Sequence, residues 1–318
     1  MLKFSSQPPL LSVLIAAYNH GQYIAETMRS FYRQDYPNIE MIVIDDGSSD
    51  ATYQRACDAA KDAPFEITVL TQENQGSTRT YNKLGHLANG ELITFMGGDD
   101  LAIENTLMER ANIVLDDERC MLCAGNGCYL RENGKTTDLL VDTVSMDKIL
   151  RLSPEQLYFN ETHNVNIIPC MYVQSMVIRK RLFDSIGGFD ENFLADDILF
   201  RIKTYQYLHE NNFSFRVIKK PVFYYRIHEN NLHKNKAYIW KLYSQLSDRY
   251  LDDGGKAATK AGITYYKQYL RENNRAFNFP LLKEIYFDRH TRRCEFLCKV
   301  TLLSTRYALK QLLRQRPK

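Results

Sequence analysis

Three loops rich in Asp, Asn and Gly carry the residues of this sequence best suited to chemistry. Asp45 and Asp46 stand in the first loop, residues 74–77 in the second and residues 97–100 in the third. Carboxylate oxygens are preferred ligands of Mg²⁺ and Ca²⁺, and a cation held this way can also bind phosphate groups. Each loop alone is equally well explained by turn formation and helix capping. Together the three favour a site for a nucleotide and a divalent cation.

Each loop follows a segment whose pattern predicts a β-strand. Strands are predicted at 11–17, 40–44, 66–70 and 92–95, and helices at 23–32, 51–61 and 77–87. Because strand and helix alternate at short intervals, the first hundred or so residues are predicted to form a mainly parallel sheet covered on both faces. Ligands of such sheets bind at the carboxyl ends of the strands, where these loops stand.

The composition is that of a soluble globular protein. The chain has 318 residues, of which 44% are hydrophobic and 25% charged, which suggests about two domains. The apolar run at 10–18 is about half of the roughly 20 residues that a membrane span needs, and no secretory signal is expected. The odd number of scattered cysteines, 7, fits reduced thiols. A cytoplasmic location is therefore expected.

The remainder of the chain is less regular. Strands are predicted at 120–131, 171–178 and 222–227 and helices at 104–115 and 198–208, with a helical and increasingly basic composition from Lys236 onward. Residues 286–318 hold nine Lys and Arg against Asp288 and Glu295, although the whole chain carries only +3. This basic end is expected to form a surface.

Six motifs, in the same order, resemble family 2 glycosyltransferases. They are Ser12–Asn19, Met41–Ser48, Glu73–Gly76 with Asn82, Gly90–Glu91, Gly187–Glu191, and Tyr225–His228 with Asn231. The resemblance implies the α/β GT-A fold, a mainly parallel sheet with flanking helices, over residues 1–232. It places the nucleotide-binding half at 1–100 and the acceptor half at 101–232, followed by a helical region at 233–318.

The resemblance also implies an activity, the transfer of a sugar with inversion from a nucleotide diphosphate sugar, here a UDP-sugar. A saccharide on a lipid carrier is the implied acceptor, in O-antigen or capsule synthesis. Tyr18 is expected to flank the base and Asp46, beside Asp45, to accept from its ring N–H. The donor-binding residues implied by motif match are Ala16, Tyr18, Asp45, Asp46, Asn74, Gly76, Arg79, Asn82, Gly98, Asp99, Arg226 and His228.

Metal binding is implied with one departure from the family pattern. Asp99 matches the last position of the family's Asp-x-Asp motif, but the first position is Gly97. Asp99, Asp100 and His228 are the expected protein ligands of Mn²⁺ or Mg²⁺, with diphosphate oxygens and water supplying the rest. Metal affinity without donor is therefore expected to be weak. A structural role explains His228 equally well.

The candidate catalytic base is Asp197, and its neighbour Asp196 is the alternative. Asp197 matches the family's base position, and two adjacent carboxylates raise the proton affinity of one of them, as a base requires. Capping of the following helix is the competing explanation. For Arg79, binding a phosphate and lying in solvent are equally well supported.

Two alternative functions, and the role of one basic surface, are left undecided by the sequence. A nucleotidyltransferase would also place acids at strand ends, and an inactive nucleotide-binding module is favoured by Gly97. A basic stripe, Lys299, Arg306, Lys310 and Arg314, fits either the inner face of an anionic membrane or a helix packed on the catalytic domain. Nucleic-acid binding is not expected, because no basic and aromatic cluster accompanies the loops.

Overall fold

The computed structural model describes residues 8–131, 134–164, 172–193, 197–229, 231, 234–251, 255–272, 279–288, 291–293, 295–296 and 298–300. Asp196 and three residues of the basic stripe, Arg306, Lys310 and Arg314, lie outside these ranges. Contacts divide the chain into two units. One holds the described residues up to Tyr158 and from Tyr172 to His228, and the other those from Phe159 to Asn164 and from Glu229 onward.

The first unit is built on a nine-stranded sheet of the described residues. Its strands are β1 Leu11–Ala17, β2 Ile39–Asp45, β3 Glu66–Thr71, β4 Leu92–Gly97, β5 Leu101–Ala102, β6 Cys120–Arg131, β7 Gly134–Leu139, β8 Val177–Arg179 and β9 Ser214–Arg226. Their order is β3-β2-β1-β4-β8-β6-β9-β5, with β7 paired to β6. The strands β1 to β4 pair in parallel, as the sequence predicts.

Helices cover the sheet and fill the second unit. In the first unit they are α1 Ile24–Ser30, α2 Thr52–Ala60, α3 Ser77–Leu87, α4 Leu107–Leu115, α5 Thr143–Ile149, α6 Pro154–Phe159, α7 Lys180–Ser185 and α8 Asp197–Glu210. In the second they are α9 Lys236–Arg249, α10 Lys256–Glu272 and α11 Phe279–Phe287. Phe159, the last residue of α6, is the first residue of the second unit.

The central strands β1, β2 and β4 are buried along nearly their whole length because both sheet faces are covered. In β1, Leu14 packs into the core that holds Phe95 and Phe183, while Val13 and Ile15 pack into the core on the other face with Met28. The edge strand β3 alternates between exposed and half-buried residues from Glu66 to Val69, and Leu70 is half-buried as well. The alternation follows from the pleat of a strand with only one covered side.

The expected strand at 171–178 is mostly wrong. A short 3₁₀ turn, Val173–Ser175, precedes the three-residue β8. Buried Arg110 donates to the Ser175 carbonyl at 2.7 Å, and the Thr94 hydroxyl donates to the Met176 carbonyl at 2.7 Å. These side-chain bonds satisfy carbonyls that a strand would have paired.

The last strand is much longer than the predicted 222–227, because β9 begins at Ser214. The first half of β9 was not predicted because the polar run Lys219-Lys220-Pro221 interrupts the apolar pattern of the strand. Lys219 pairs with Asp147 at 2.6 Å and Lys220 pairs with Glu109, so both ammonium groups lie at the surface while the backbone pairs with β6.

The second unit has an apolar core of its own. Trp240, Tyr266 and Ile285, from α9, α10 and α11, are among its buried residues. None of the described helices combines the length and the apolar character that a membrane crossing requires.

Candidate functional site

Backbone hydrogen bonds tie the first and third loops to the end of β1. Asp46 N donates to the Ala17 carbonyl at 2.8 Å, and Gly98 N donates to the Ala16 carbonyl at 2.9 Å. Ala16 also pairs in parallel register with Gly97 on one side and Ile44 on the other. The sheet register therefore brings these two acidic loops to one edge, as the sequence predicts.

The Asp46 carboxylate anchors the second loop. Its Oδ1 accepts from Gln72 Nε2 at 2.8 Å and from Gln75 N at 2.9 Å, while Oδ2 accepts from Gly76 N at 2.8 Å. The neighbouring Asp45 is buried, and its Oδ1 has no hydrogen-bond partner among the described residues. Asp46 thus fixes the loop at 72–76 against the end of β2.

The residues next to this edge remain open to solvent. Tyr18 is 49% exposed, and Asn74 is also exposed. Asn19 adopts a φ of 55° and its Oδ1 accepts from Ser49 N at 2.9 Å, which holds the turn that carries Tyr18. A flat aromatic ring held open beside a carboxylate edge suits stacking against a planar ligand.

Asn82 and Arg79, both on α3, face the Gly187–Glu191 motif. The Asn82 amide donates to the Phe189 carbonyl at 2.9 Å and accepts from Phe189 N at 2.8 Å. It also donates to Glu191 Oε1 at 3.0 Å, and Arg79 lies 3.5 Å from the same carboxylate. Asn82 is buried and Arg79 half-exposed. In this structure Asn82 joins α3 to the motif, and Arg79 pairs with an acid at the surface.

We expect Asn82→Ala to lower the free energy of unfolding by roughly 3 kcal/mol, because it leaves the buried N–H and C=O of Phe189 unpaired at about 1–3 kcal/mol each. Urea denaturation of the purified protein measures this loss. Asn89→Ala is the matched control, since within the described part of the chain its exposed side-chain amide bonds Glu40 alone, at 3.0 Å, and its effect should stay near 0.5 kcal/mol. Equal losses in the two variants would contradict the role assigned to Asn82.

Two imidazoles lie beside the Asp99 carboxylate. His228 Nε2 lies 2.9 Å from Asp99 Oδ2, at hydrogen-bond distance, and His20 Nε2 lies 3.8 Å from the same oxygen. Burial by itself would raise the pKa of Asp99, but the His228 hydrogen bond and the two imidazoles outweigh burial and lower it. Burial lowers the pKa of His20 despite the nearby Asp99. Asp99 is therefore charged, and His20 is neutral at physiological pH.

Asp100 has the opposite electrostatics. Burial first, and then the charge of Asp99, raise the pKa of Asp100 well above its ordinary value, with a further contribution from Asp197. Its Oδ1 accepts from Arg226 N at 2.9 Å, and its Oδ2 lies 3.4 Å from Gln174 Nε2. Adjacent acids of unequal proton affinity thus stand at the end of β4.

Asp197, the first residue of α8, shares this electrostatic environment. Its charge raises the pKa of Asp100, and it contributes to the raised pKa of Tyr225, which burial, Asp100 and Asp99 raise more strongly. The structure therefore brings the motif-matched acid of the acceptor half into the field of the acids at the end of β4.

Arg226 is held within the fold. Its Nε donates to the Asp99 carbonyl at 2.7 Å, its Nη2 pairs with Glu26 at 2.8 Å, and its guanidinium lies 4.7 Å from the Tyr23 ring centroid. These contacts join the end of β9 to α1 and to the backbone of Asp99. In this conformation Arg226 positions the acidic loop.

The residues at Asp99 fit a divalent cation that also binds diphosphate. Asp99 supplies a carboxylate and His228 an imidazole, both ligands of divalent metals. Within the described ranges, no three His, Cys, Asp or Glu side chains form a ready-made metal site. This agrees with the loss of the first acid at Gly97, where an added Cβ would lie 2.8 Å from Asp99 Oδ1.

Sequence reasoning missed five residues of this site. They are His20, Tyr23, Gln72, Gln174 and Tyr225. Tyr23 contacts Arg226, and the other four contact, or are electrostatically coupled to, the acids described above. Tyr225 stands within a quoted motif and His20 directly follows Asn19 of the first, so position alone could have drawn attention to them. Gln174 gives no sequence signal, because it lies in the segment predicted as a strand.

Comparison with known proteins agrees with this geometry. The family model described as glycosyl transferase family 2 matches residues 12–186. The glycosyltransferase EpsH of Bacillus subtilis is 27% identical over 292 residues, covering 91% of this chain and 77% of EpsH. The teichuronic acid biosynthesis glycosyltransferase TuaG of the same organism is 27% identical, covering 52% of this chain and 61% of TuaG.

Solved structures share the fold at low identity. The mannosyltransferase PcManGT of Pyrobaculum calidifontis, in complex with GDP-Man and Mn²⁺, has a TM-score of 0.57 and 18% identity, covering 97% of this chain and 88% of that one. TarS 1–349 of S. aureus, in complex with UDP-GlcNAc, has a TM-score of 0.54 and 18% identity, covering 87% of this chain and 81% of that one. These likenesses show the GT-A fold. The chain belongs to glycosyl transferase family 2 and is a glycosyltransferase.

Proposed function

We propose that this glycosyltransferase transfers a sugar with inversion from a UDP-sugar to a saccharide acceptor on a lipid carrier, in the synthesis of a cell-surface polysaccharide. The observation that carries the proposal is geometric: backbone hydrogen bonds hold the loops of Asp46 and Gly98 at the end of β1, where His228 Nε2 lies 2.9 Å from Asp99 Oδ2. The relatives EpsH and TuaG support the glycosyltransferase class, and the name of TuaG refers to synthesis of teichuronic acid.

The nucleotide is assigned to the edge formed by β1, β2 and the loop at 72–76. Tyr18 flanks the base with its half-exposed ring. Asp46 Oδ2 accepts one hydrogen bond, from Gly76 N, and a carboxylate oxygen with two lone pairs retains capacity for the ring N–H of uracil. Ala16, Asn74 and Gly98 line the same edge. UDP is the nucleotide that the family resemblance implies. Its base presents that ring N–H, as guanine also does, whereas cytosine has no ring N–H to donate.

Asp197 is assigned as the general base. It removes the proton of the acceptor hydroxyl as that oxygen attacks the anomeric carbon from the face opposite the diphosphate, while the bond to the β-phosphate oxygen breaks. The buried neighbour Asp100, with its raised pKa, adds no full negative charge beside the diphosphate. Asp196 lies outside the described residues and stays the alternative base.

Asp99 and His228 are assigned as the protein ligands of Mn²⁺ or Mg²⁺. When bound, such a cation neutralises the charge that develops on the departing diphosphate. Arg226 holds the Asp99 backbone, and its N–H occupies Asp100 Oδ1, so the loop is ordered before donor binds. Ordering in advance saves the entropy of fixing these groups during the reaction.

The second unit is assigned to the membrane side of the reaction. Lys299 belongs to its described residues and pairs with Glu295 at 2.6 Å. A peripheral position on the cytoplasmic face would place the enzyme beside a lipid-linked acceptor. Basic residues gain about 1 kcal/mol each near an anionic surface.

A thermal-shift panel of nucleotides tests the donor assignment. UDP and UDP-sugars with Mn²⁺ are expected to raise the melting temperature by about 5 °C at about 100 times Kd. Without Mn²⁺ the shift should shrink, because no cation then neutralises the charge of the diphosphate beside the Asp99 carboxylate. GDP-mannose and CMP-sialic acid are the matched comparisons. Stabilisation by either of these, with none from UDP forms, would refute the UDP assignment.

A further inference from the structure

His20 is a residue of the site that neither the sequence motifs nor the proposed mechanism uses. Its Nε2 lies 3.8 Å from Asp99 Oδ2, the oxygen that His228 also approaches, at 2.9 Å. The two imidazole rings stand 6.4 Å apart at an interplanar angle of 76°. The ring of His20 therefore flanks the Asp99 carboxylate together with that of His228.

The backbone of His20 is fixed from both sides. Its N–H donates to Thr52 Oγ1 at 2.8 Å, and its carbonyl accepts from Tyr23 N at 2.8 Å and from Ile24 N at 2.9 Å. These bonds tie His20 to the starts of both α1 and α2. The ring is thus presented to Asp99 from a rigid part of the fold, as a ligand requires.

Gly98 makes the room for the ring. A Cβ at Gly98 would lie 2.8 Å from His20 Nδ1 and 2.7 Å from the Cβ of Ala17, closer than such atoms approach. Nδ1 itself is buried and has no hydrogen-bond partner among the described residues. A buried ring nitrogen without a partner costs free energy, so packing alone gives no reason for an imidazole here.

The position of His20 matches the loss of the first acid of the motif. Gly97 offers no carboxylate, and an added Cβ there would lie 2.8 Å from Asp99 Oδ1. Two ligands held at about 2.1 Å from one cation lie about 3 Å apart at a right angle and about 4 Å apart on opposite sides. The distances of both imidazoles from Asp99 Oδ2 fall in this range.

We propose that His20 is a third protein ligand of the divalent cation, a nitrogen donor that stands in for the carboxylate missing at Gly97. The inference rests on the proposed function, which places a cation at Asp99 and His228. The three side chains are not a ready-made cage in the described part of the chain, so the full set forms only with the cation and diphosphate present. Two imidazoles and one carboxylate favour Mn²⁺ or Co²⁺ over Mg²⁺, which prefers oxygen.

Manganese titration in the presence of UDP tests the selectivity. We expect His20→Asn to weaken Mn²⁺ binding by about tenfold or more. Binding is measured from the decrease of the electron paramagnetic resonance signal of free Mn²⁺. Mg²⁺ binding, measured by competition with Mn²⁺, should change by less than about threefold. His209→Asn, at an exposed imidazole in the last turn of α8, is the matched control and should bind both ions as the wild type does.

Electron spin-echo spectroscopy of the Mn²⁺ complex counts the bound imidazoles directly. The wild type should show two ¹⁴N imidazole couplings, His20→Asn one, and His228→Asn one. One coupling in the wild type, lost in His228→Asn and kept in His20→Asn, would refute the role of His20 and leave the proposed function standing. No Mn²⁺ binding with UDP would refute both. If His20→Asn fails to fold, the wild-type and His228→Asn spectra still decide.

Discussion

Replacement of Asp197 with Asn is expected to lower kcat by about 10²- to 10⁴-fold, the range for loss of a positioned general base. The affinity for UDP should stay within about twofold of wild type, because donor binding is assigned to the edge at Asp46 and Asp99. Asn keeps the size and the hydrogen-bonding capacity of Asp at the start of α8, so the loss reports on proton transfer. Initial rates of sugar transfer and calorimetric UDP binding measure the two quantities.

Two variants make the Asp197 experiment decisive. Asp184→Asn, on the exposed end of α7 where it pairs with Lys180 at 3.0 Å, removes a carboxylate that is not assigned to donor, cation or acceptor and should leave kcat unchanged. Asp196→Asn tests the neighbouring acid. Full turnover in Asp197→Asn together with loss in Asp196→Asn would move the base by one residue, and loss of UDP binding in Asp197→Asn would make it a donor-site residue.

The sequence predicted which loops lie at the edge of the sheet better than it predicted the electrostatic interactions among their side chains. Alternating strands and helices place Asp46 and Gly98 at the end of β1, because parallel pairing is set by buried apolar runs that are visible in sequence. The pairing of Asp99 with His228 spans 129 positions. This pairing was expected because both residues lie in motifs of the family. The spacing of residues along the chain could not have predicted it.

The unpredicted part of the site depends on tertiary packing. Gln174 reaches Asp100 because buried Arg110 bonds the Ser175 carbonyl and shapes a 3₁₀ turn, an interaction between α4 and a segment whose composition predicts a strand. His20 reaches Asp99 because Gly98 leaves space for its ring. Such contacts follow from which side chains meet across elements, and local propensity carries no information about them.

The contacts of Arg226 also could not be predicted from its position in a motif. Its place in the Tyr-Arg-x-His motif implied a donor-binding role, whereas its contacts in the structure go to Glu26, Tyr23 and the Asp99 carbonyl. A motif gives the position of a residue along the chain. Its partners depend on α1, which lies about two hundred positions earlier in the sequence.

The second large effect is expected at Asp99. Asp99→Asn removes the charged member of the proposed cation site and should lower kcat by about 10²- to 10³-fold, equivalent to about 3–4 kcal/mol of lost stabilisation of the departing diphosphate. The dependence of rate on Mn²⁺ concentration should shift to higher concentration at the same time. Asp116→Asn, at an exposed acid just after α4, is the control and should match the wild type in both measurements.

Asp100→Asn separates this explanation from a general need for acids in the loop. Because burial and the adjacent Asp99 raise the pKa of Asp100 well above its ordinary value, Asn resembles the protonated side chain and should cost less than about tenfold in kcat. Its amide oxygen can still accept the bond from Arg226 N. An effect as large as that of Asp99→Asn would mean that Asp100 acts as a charged cation ligand, as its position beside the motif suggests. A small effect leaves Asp99 as the carboxylate that holds the cation and assigns Asp100 to ordering the end of β9.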